Sequence, residues 1–204
     1  MIEKSNLPEQ TKFAFDFIQK LYLEISYMIK EIEGLLYEQE EKFVIGRPAG
    51  YGISTKSSTG LESTNVNFWL LRRFTVSFVP EEMTKLERGQ TITNVSDRLV
   101  ILHFRFVLND KESNPPAIYS GIFHSIKAKA KWIKKFENSM GHLAYNDEKI
   151  FKNFKQVDYE DAQIKVKGEF LKNDLYDIND SEAILNRIIE PSLKLYRKYS
   201  KPKT

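Results

Sequence analysis

At 204 residues the chain is long enough to form one domain with a substantial core and no covalent staple. Its 41% hydrophobic and 29% charged residues exclude a disordered or fibrous chain, and a formal net charge of +3 permits a basic patch without demanding a polyanionic partner. The absence of cysteine excludes disulfides, thiolate metal centres and cysteine nucleophiles, while the lack of an apolar signal core or an 18-residue apolar run leads us to expect a soluble, cytoplasmic protein with no membrane partner.

The first element is a long helix over residues 8–38. Ala14, Ile18, Leu21, Ile25, Met28, Ile32 and Leu35 alternate spacings of four and three, and Phe13, Phe17, Ile29 and Leu36 widen the stripe. Asn6 is placed to cap it and Pro8 suits its first turn. At 1.5 Å per residue it would be about 45 Å long. Such a stripe can lie across a sheet or pair two chains, so a homodimer through residues 8–38 is one expected partner mode.

A short strand over 42–45 leads into "GRPAGYGISTKSSTG", residues 46–60, which has the composition of a phosphate-binding loop. A Walker loop needs glycine directly before its lysine and a helix after it, so that backbone amides and the helix dipole meet the phosphates. Here Thr55 precedes Lys56 and a strand follows, and the dinucleotide fingerprint fails for want of a third glycine. The stretch reads as a long surface loop in which Arg47, Lys56 and several hydroxyls are anion-binding candidates.

Three strands follow. "NFWLLRRFTVSFVP" points Phe74, Val76 and Phe78 one way and Arg73, Thr75 and Ser77 the other. "RLVILHFRFVL" points Leu102, Phe104, Phe106 and Leu108 one way and His103 and Arg105 the other. "AIYSGIFHSI" alternates less cleanly. Short polar connections argue an antiparallel meander, with Arg73, His103, Arg105 and His124 as ligand-binding candidates on a wet face. The segment 127–140 then reads as an amphipathic helix with Trp132, Phe136 and Met140 on its stripe. "AQIKVKGEF" is a half-exposed strand with Gln163, Lys165, Lys167 and Glu169 outward. Asn179 opens a last helix in a capping box with Glu182, and Pro191 kinks or restarts it.

The expected fold class is α+β: a mainly antiparallel sheet of about four to five strands with the long N-terminal helix and a C-terminal helix packed against it on one face, in a single domain over 1–204 whose basic tail frays from 197. Lys127, Lys129, Lys131, Lys134 and Lys135 around Trp132 form a nucleic-acid-binding candidate, since lysines track a phosphate backbone and an indole stacks a base. Restriction-type nucleases carry an acid followed by Glu or Gln two before Lys at a metal-binding strand. Asp147 or Asp158 with Gln163 and Lys165 fits that pattern loosely and supplies the catalytic candidates. His103, His124 and His142 lack zinc spacing, and no GxSxG elbow occurs. We therefore expect a binding module for an anionic partner, nucleic acid or a nucleotide-like ligand, with no cofactor. A magnesium-dependent phosphodiesterase and a structural subunit docking through the first helix are the alternatives.

Overall fold

The computed structural model describes residues 6–50, 73–83, 94–108 and 115–200, the side chains of 46–50 and of 83 excepted. Lys56 and most of the 46–60 stretch lie outside the described residues. Residues 46–50 belong to a strand, not to a loop.

Helix α1 spans Leu7–Tyr37, with Pro8 in its first turn; Asn6 precedes it but makes no side-chain cap bond. Its buried residues are Ile25, Ile32 and Leu36, so only the second half of the predicted stripe is docked. The strands are β1 (Phe43–Gly50), β2 (Arg73–Pro80), β3 (Ile101–Val107), β4 (Ala117–Ala128), β5 (Val157–Glu160) and β6 (Ile164–Asp174). They form one sheet in the order β1-β2-β3-β4-β6-β5, and every neighbouring pair is antiparallel. The fold is α+β, with one strand more than the upper expectation. The extra one, β5, is the four-residue "VDYE", too short and charged for its alternation to register as a strand.

The expected meander accounts for β2 to β4, and β1 adds to it by pairing with β2. The chain then leaves the sheet to build α2 (Phe136–Tyr145), α3 (Asp147–Ile150) and a 3-10 stretch over Phe151–Gln156, and returns as the β5–β6 hairpin with β6 against β4. Both faces of the sheet are covered, contrary to the expectation of helices on one face only. On one side α1 and the C-terminal helix pack on Val76, Phe78, Phe104, Phe106, Ile118 and Ile122. On the other, α2, α3 and the 3-10 stretch pack on Ile101, Phe123, Val166 and Phe170 through Phe136, Met140, Ile150 and Phe151. The amphipathic stripe of 127–140 therefore begins at Phe136. Residues 127 and 128 finish β4, and Trp132 lies outside the core, 52% exposed on a separate 3-10 turn.

The C-terminal helix runs from Ser181 to Ser200 as α4 (Ser181–Ile184), a π turn (Leu185–Ile189) and α5 (Glu190–Ser200). Its cap is Asp180, whose Oδ1 accepts the Ala183 N–H at 2.7 Å, one residue later than the capping box read from sequence. Pro191 does not end the helix. The π turn widens it directly before the ring, and Asn173 Nδ2 donates to Arg187 O at 3.2 Å, the acceptor four residues back that a proline has no N–H to fill. The tail expected to fray from 197 is helical through Ser200: Arg197 pairs with Glu41 and Lys198 with Glu169. Residues 201–204 lie outside the described residues. Among the described residues no helix is long and apolar enough to cross a membrane.

Candidate nucleic-acid interface

The polar strand face is not wet. Alternation along β2 and β3 puts Thr75, Ser77, His103 and Arg105 on one side of the sheet, as read from sequence, but α2 and α3 lie over that side and bury all four. Arg105 Nε donates to both oxygens of Asp147, at 2.7 and 2.8 Å, with each side chain about 5% exposed. Its guanidinium sits 4.9 Å from the Tyr119 ring centre and 4.7 Å from that of Phe151. Arg73 approaches Asp147 at 3.6 Å and pairs with Glu148 at 2.9 Å. Burial pushes the Asp147 carboxyl up, opposed by the Arg105 and Arg73 charges. Ser77 Oγ donates to Met140 Sδ at 3.7 Å and lies 2.9 Å from His103 Nδ1, so the hydroxyl is free to accept the Nδ1–H of a neutral imidazole. Arg73 and Arg105 are thus gathered on Asp147 and fasten the α2–α3 layer to the sheet, while His103 is held beside them by Ser77.

His124 lies on the other face. Beside it β4 carries a bulge: His124 pairs with Lys167 and Lys127 with Lys165, so Ser125 and Ile126 together oppose the single residue Val166. Ser125 adopts a left-handed φ of 52° at this step. The bulge resets the alternation. Ile126 turns into the core under α2, and Lys127 returns to the face that His124 occupies.

That face opens into a groove of about 1800 Å³ between the end of α5 and the β4–β6–β5 edge. His124, Lys127, Lys165 and Lys167 line its floor, with Lys198 and Tyr199 from α5 and Arg98 and Lys155 from flanking segments. Six lysine or arginine side chains face three carboxylates, Asp97, Asp158 and Glu169. With Glu160, which pairs with Lys165 at the β5 edge, the groove keeps a surplus of two positive charges. Part of the charge is tied down. Lys167 lies 3.6 Å from Asp158, and Lys198 and Tyr199 OH both donate to Glu169. Glu160 at the β5 edge accepts from Lys129 and Lys165, which draw its pKa down to about 2. Arg98, Lys127 and Lys155 have no ion-pair partner among the described residues. The His124 ring stacks on Tyr199 with centres 4.1 Å apart.

The lysine-rich segment leads away from this groove at Lys127. Lys129 is held by Asp161 O and Glu160, while Lys131, Lys134 and Lys135 are exposed. Trp132 Nε1 donates to Gln163 Oε1 at 3.2 Å, which sets the half-exposed indole at the β5–β6 turn, two residues from Lys165. Asp161 anchors that turn. Desolvation would raise its pKa, but hydrogen bonds from Tyr159 OH, His142 Nε2 and the backbone N–H groups of Ile164 and Gln163 outweigh this and hold it well below the usual carboxylate range.

The catalytic candidates are not brought together as one set. Asp158 and Lys165 share the groove; Gln163 is turned to Trp132; Asp147, the first residue of α3, lies on the opposite face, bound to Arg105. Among the described residues no three His, Asp or Glu side chains gather as metal ligands. Arg47 lies in β1, its side chain outside the described residues. Sequence reasoning missed Arg98, Lys155, Lys198 and Tyr199, which come from distant segments and carry no local pattern. Lys167 was legible as an outward position beside Lys165. Comparison with known protein families, with characterised proteins and with solved structures finds no match.

Proposed function

We propose that the protein binds a single strand of nucleic acid, its phosphates in the groove and its bases against the exposed Trp132 ring and the edge of the half-buried His124–Tyr199 stack. The observation that carries this reading is the excess of cations over carboxylates in one open groove, with Arg98, Lys127 and Lys155 in no ion pair among the described residues. A phosphate backbone releases counterions when it meets such cations. Two aromatic platforms favour a single strand over a duplex, whose bases are already stacked. The His124–Tyr199 stack lies within the groove and Trp132 lies beyond Lys165. From Lys167, opposite His124, to Gln163, which holds Trp132, the chain covers four residues, a span of about 13 Å at the rise of a strand. A few nucleotides bridge it.

The test is a salt titration of binding to labelled single- and double-stranded oligonucleotides, read by polarisation with and without magnesium. Tighter binding of single strands is expected, with log Kd rising linearly in log salt. Replacing both Lys127 and Lys155 by Glu lowers the slope by about two, and Trp132→Ala weakens binding by about 1–3 kcal/mol without changing the slope. Failure to bind single strands at low salt refutes the reading. Strand cleavage that needs magnesium and is lost in Lys165→Ala would replace it with the phosphodiesterase alternative.

A further inference from the structure

The longest element of the fold is used over only half of its length. Ile25, Ile32 and Leu36 of α1 are buried in the core, and Leu21 is the first residue of the helix to touch it. None of residues 7–24 is buried. Yet the apolar face does not stop at Leu21. Leu7, Ala14 and Ile18 continue the docked stripe at the same helical phase, and Phe15 and Phe17 flank it on its two edges. Phe13, Phe15 and Phe17 are 63, 58 and 61% exposed. Three phenylalanines in five residues, each more than half bare, are not the scattered apolar residues of an ordinary surface.

We propose that the first half of α1 pairs with the same segment of a second copy of this chain, antiparallel, about a two-fold axis level with Asp16. Three observations select this occupant. First, the polar side of the segment carries Glu9, Lys12, Asp16, Lys20 and Glu24 at spacings of three and four, alternating in sign with one net negative charge. Such a side suits solvent, and the segment lacks the basic surplus that draws an amphipathic helix to an anionic membrane. Second, the stripe from Ile25 onward is occupied by the chain's own core. An in-register parallel pair would press the two bodies together at one end, whereas an antiparallel overlap of residues 8–24 sets them at opposite ends. Third, this register is complementary. It places Ala14 against Ile18 of the second copy and Thr11 against its Leu21, so small meets large in the layers on either side of the axis. It also brings Phe15 and Phe17 each beside its own copy along the two edges, because an antiparallel two-fold keeps like edges together. At about 60% exposure each phenylalanine offers roughly 100–150 Å². With the central stripe, two copies bury on the order of 1,000 Å², the low end of specific interfaces, so the dimer forms with rising concentration.

Sedimentation of the full chain across the micromolar range tests this. The mass is expected to rise from one chain to two with concentration, and Phe17→Glu is expected to stay monomeric with an unchanged thermal midpoint, since the side chain it removes packs on nothing within its own core. The chain has no cysteine of its own, so single-cysteine variants report orientation directly. Thr11→Cys mixed with Leu21→Cys under a mild oxidant yields the mixed disulfide. Neither variant alone cross-links, because like positions sit about 15 Å apart along the helices, beyond the reach of a disulfide. A chain that stays monomeric throughout, a dimer that survives Phe17→Glu, Thr11→Cys cross-linking to itself, or a monomer that instead floats with neutral lipid vesicles would each overturn the proposal.

Discussion

His103 gives the most direct test of the buried polar layer. It is 3% exposed, with the Phe123 ring centre at 4.7 Å and those of Phe170 and Phe151 at 6.0 and 6.2 Å. Burial above all, and then the charge of Arg105, push its pKa from 6.5 down to about 3. The imidazole is therefore neutral in the folded protein from pH 7 to pH 5, but takes a proton in the unfolded chain below pH 6.5. The sign follows. A lowered histidine has no effect well above its unfolded value and draws stability away as the pH falls from there toward the folded value. Each unit costs about 1.4 kcal/mol once protonation of the unfolded chain is complete, which gives roughly 2 kcal/mol between pH 7 and pH 5. In urea this is a fall of about 1 M in the unfolding midpoint for a slope near 2 kcal/mol/M. Asp161 and Glu160, both held below the usual carboxylate value, stabilise above the unfolded value and lose that effect only at lower pH, outside this window. Urea titrations at pH 7, 6 and 5 on the natural chain and on His103→Gln separate the residue from other groups. The variant is less stable at pH 7 but falls less steeply. A difference between the two proteins that stays constant from pH 7 to pH 5 would refute a buried neutral His103.

Two further changes probe the same layer. Asp147→Ala leaves Arg105 charged and buried without its acceptor, and is expected to cost about 3–5 kcal/mol in urea unfolding. Pairing it with Arg105→Met should recover much of that loss, and a double variant as unstable as the sum of the singles would show that the pair is not coupled. Gly121→Ala places a Cβ 2.1 Å from the Glu169 carbonyl oxygen and 2.8 Å from the Phe170 Cα, both backbone atoms of β6 that cannot swing aside. The strands must part, so a loss of 3 kcal/mol or more, visible as a lowered thermal midpoint, is expected, and less than 1 kcal/mol would mean that the β4–β6 register differs.

The elements most legible in the sequence were those whose burial is periodic. α1 fell within a residue of its predicted ends, and β2, β3 and β6 were found because apolar side chains recur every second residue, while β4 was found despite a less clean alternation. Alternation tells which residues share a face; it does not tell what covers that face. Arg73, Thr75, Ser77, His103 and Arg105 were assigned one face, but polar character suggested solvent, whereas Asp147 and Met140 supply the partners that let these groups be buried. That pairing joins positions 42 residues apart and leaves no local trace. The groove was half legible. His124, Lys127 and Lys165 were candidates from separate arguments, and their meeting depends on the bulge at Ser125, which no residue pattern in β4 announces.

Coverage of the sheet also explains where an exposed basic groove can lie. The α2–α3 layer closes one face along β1 to β6, so polar residues there must find protein partners, and they do. On the opposite face the apolar packing of α1 and the C-terminal helix is on β1 to β4, and the C-terminal helix meets β6 only through polar bonds to Glu169 and Asn173. β6 runs eleven residues and β5 adds a further edge, so the sheet is wider than the helices above it. The strip left over cannot be apolar without inviting aggregation, and β6 fills it with Lys165, Lys167 and Glu169 while keeping Ile164, Val166 and Phe170 beneath. Charged side chains on an uncovered strip need no function. What the strip does not require is the excess of cations over carboxylates, the turn at Ser125 that returns Lys127 to it, or a half-bare tryptophan pinned by Gln163 at its end. An edge protected only against aggregation would be served equally well by balanced charge, and it is this imbalance, not the exposure itself, that favours a polyanionic ligand.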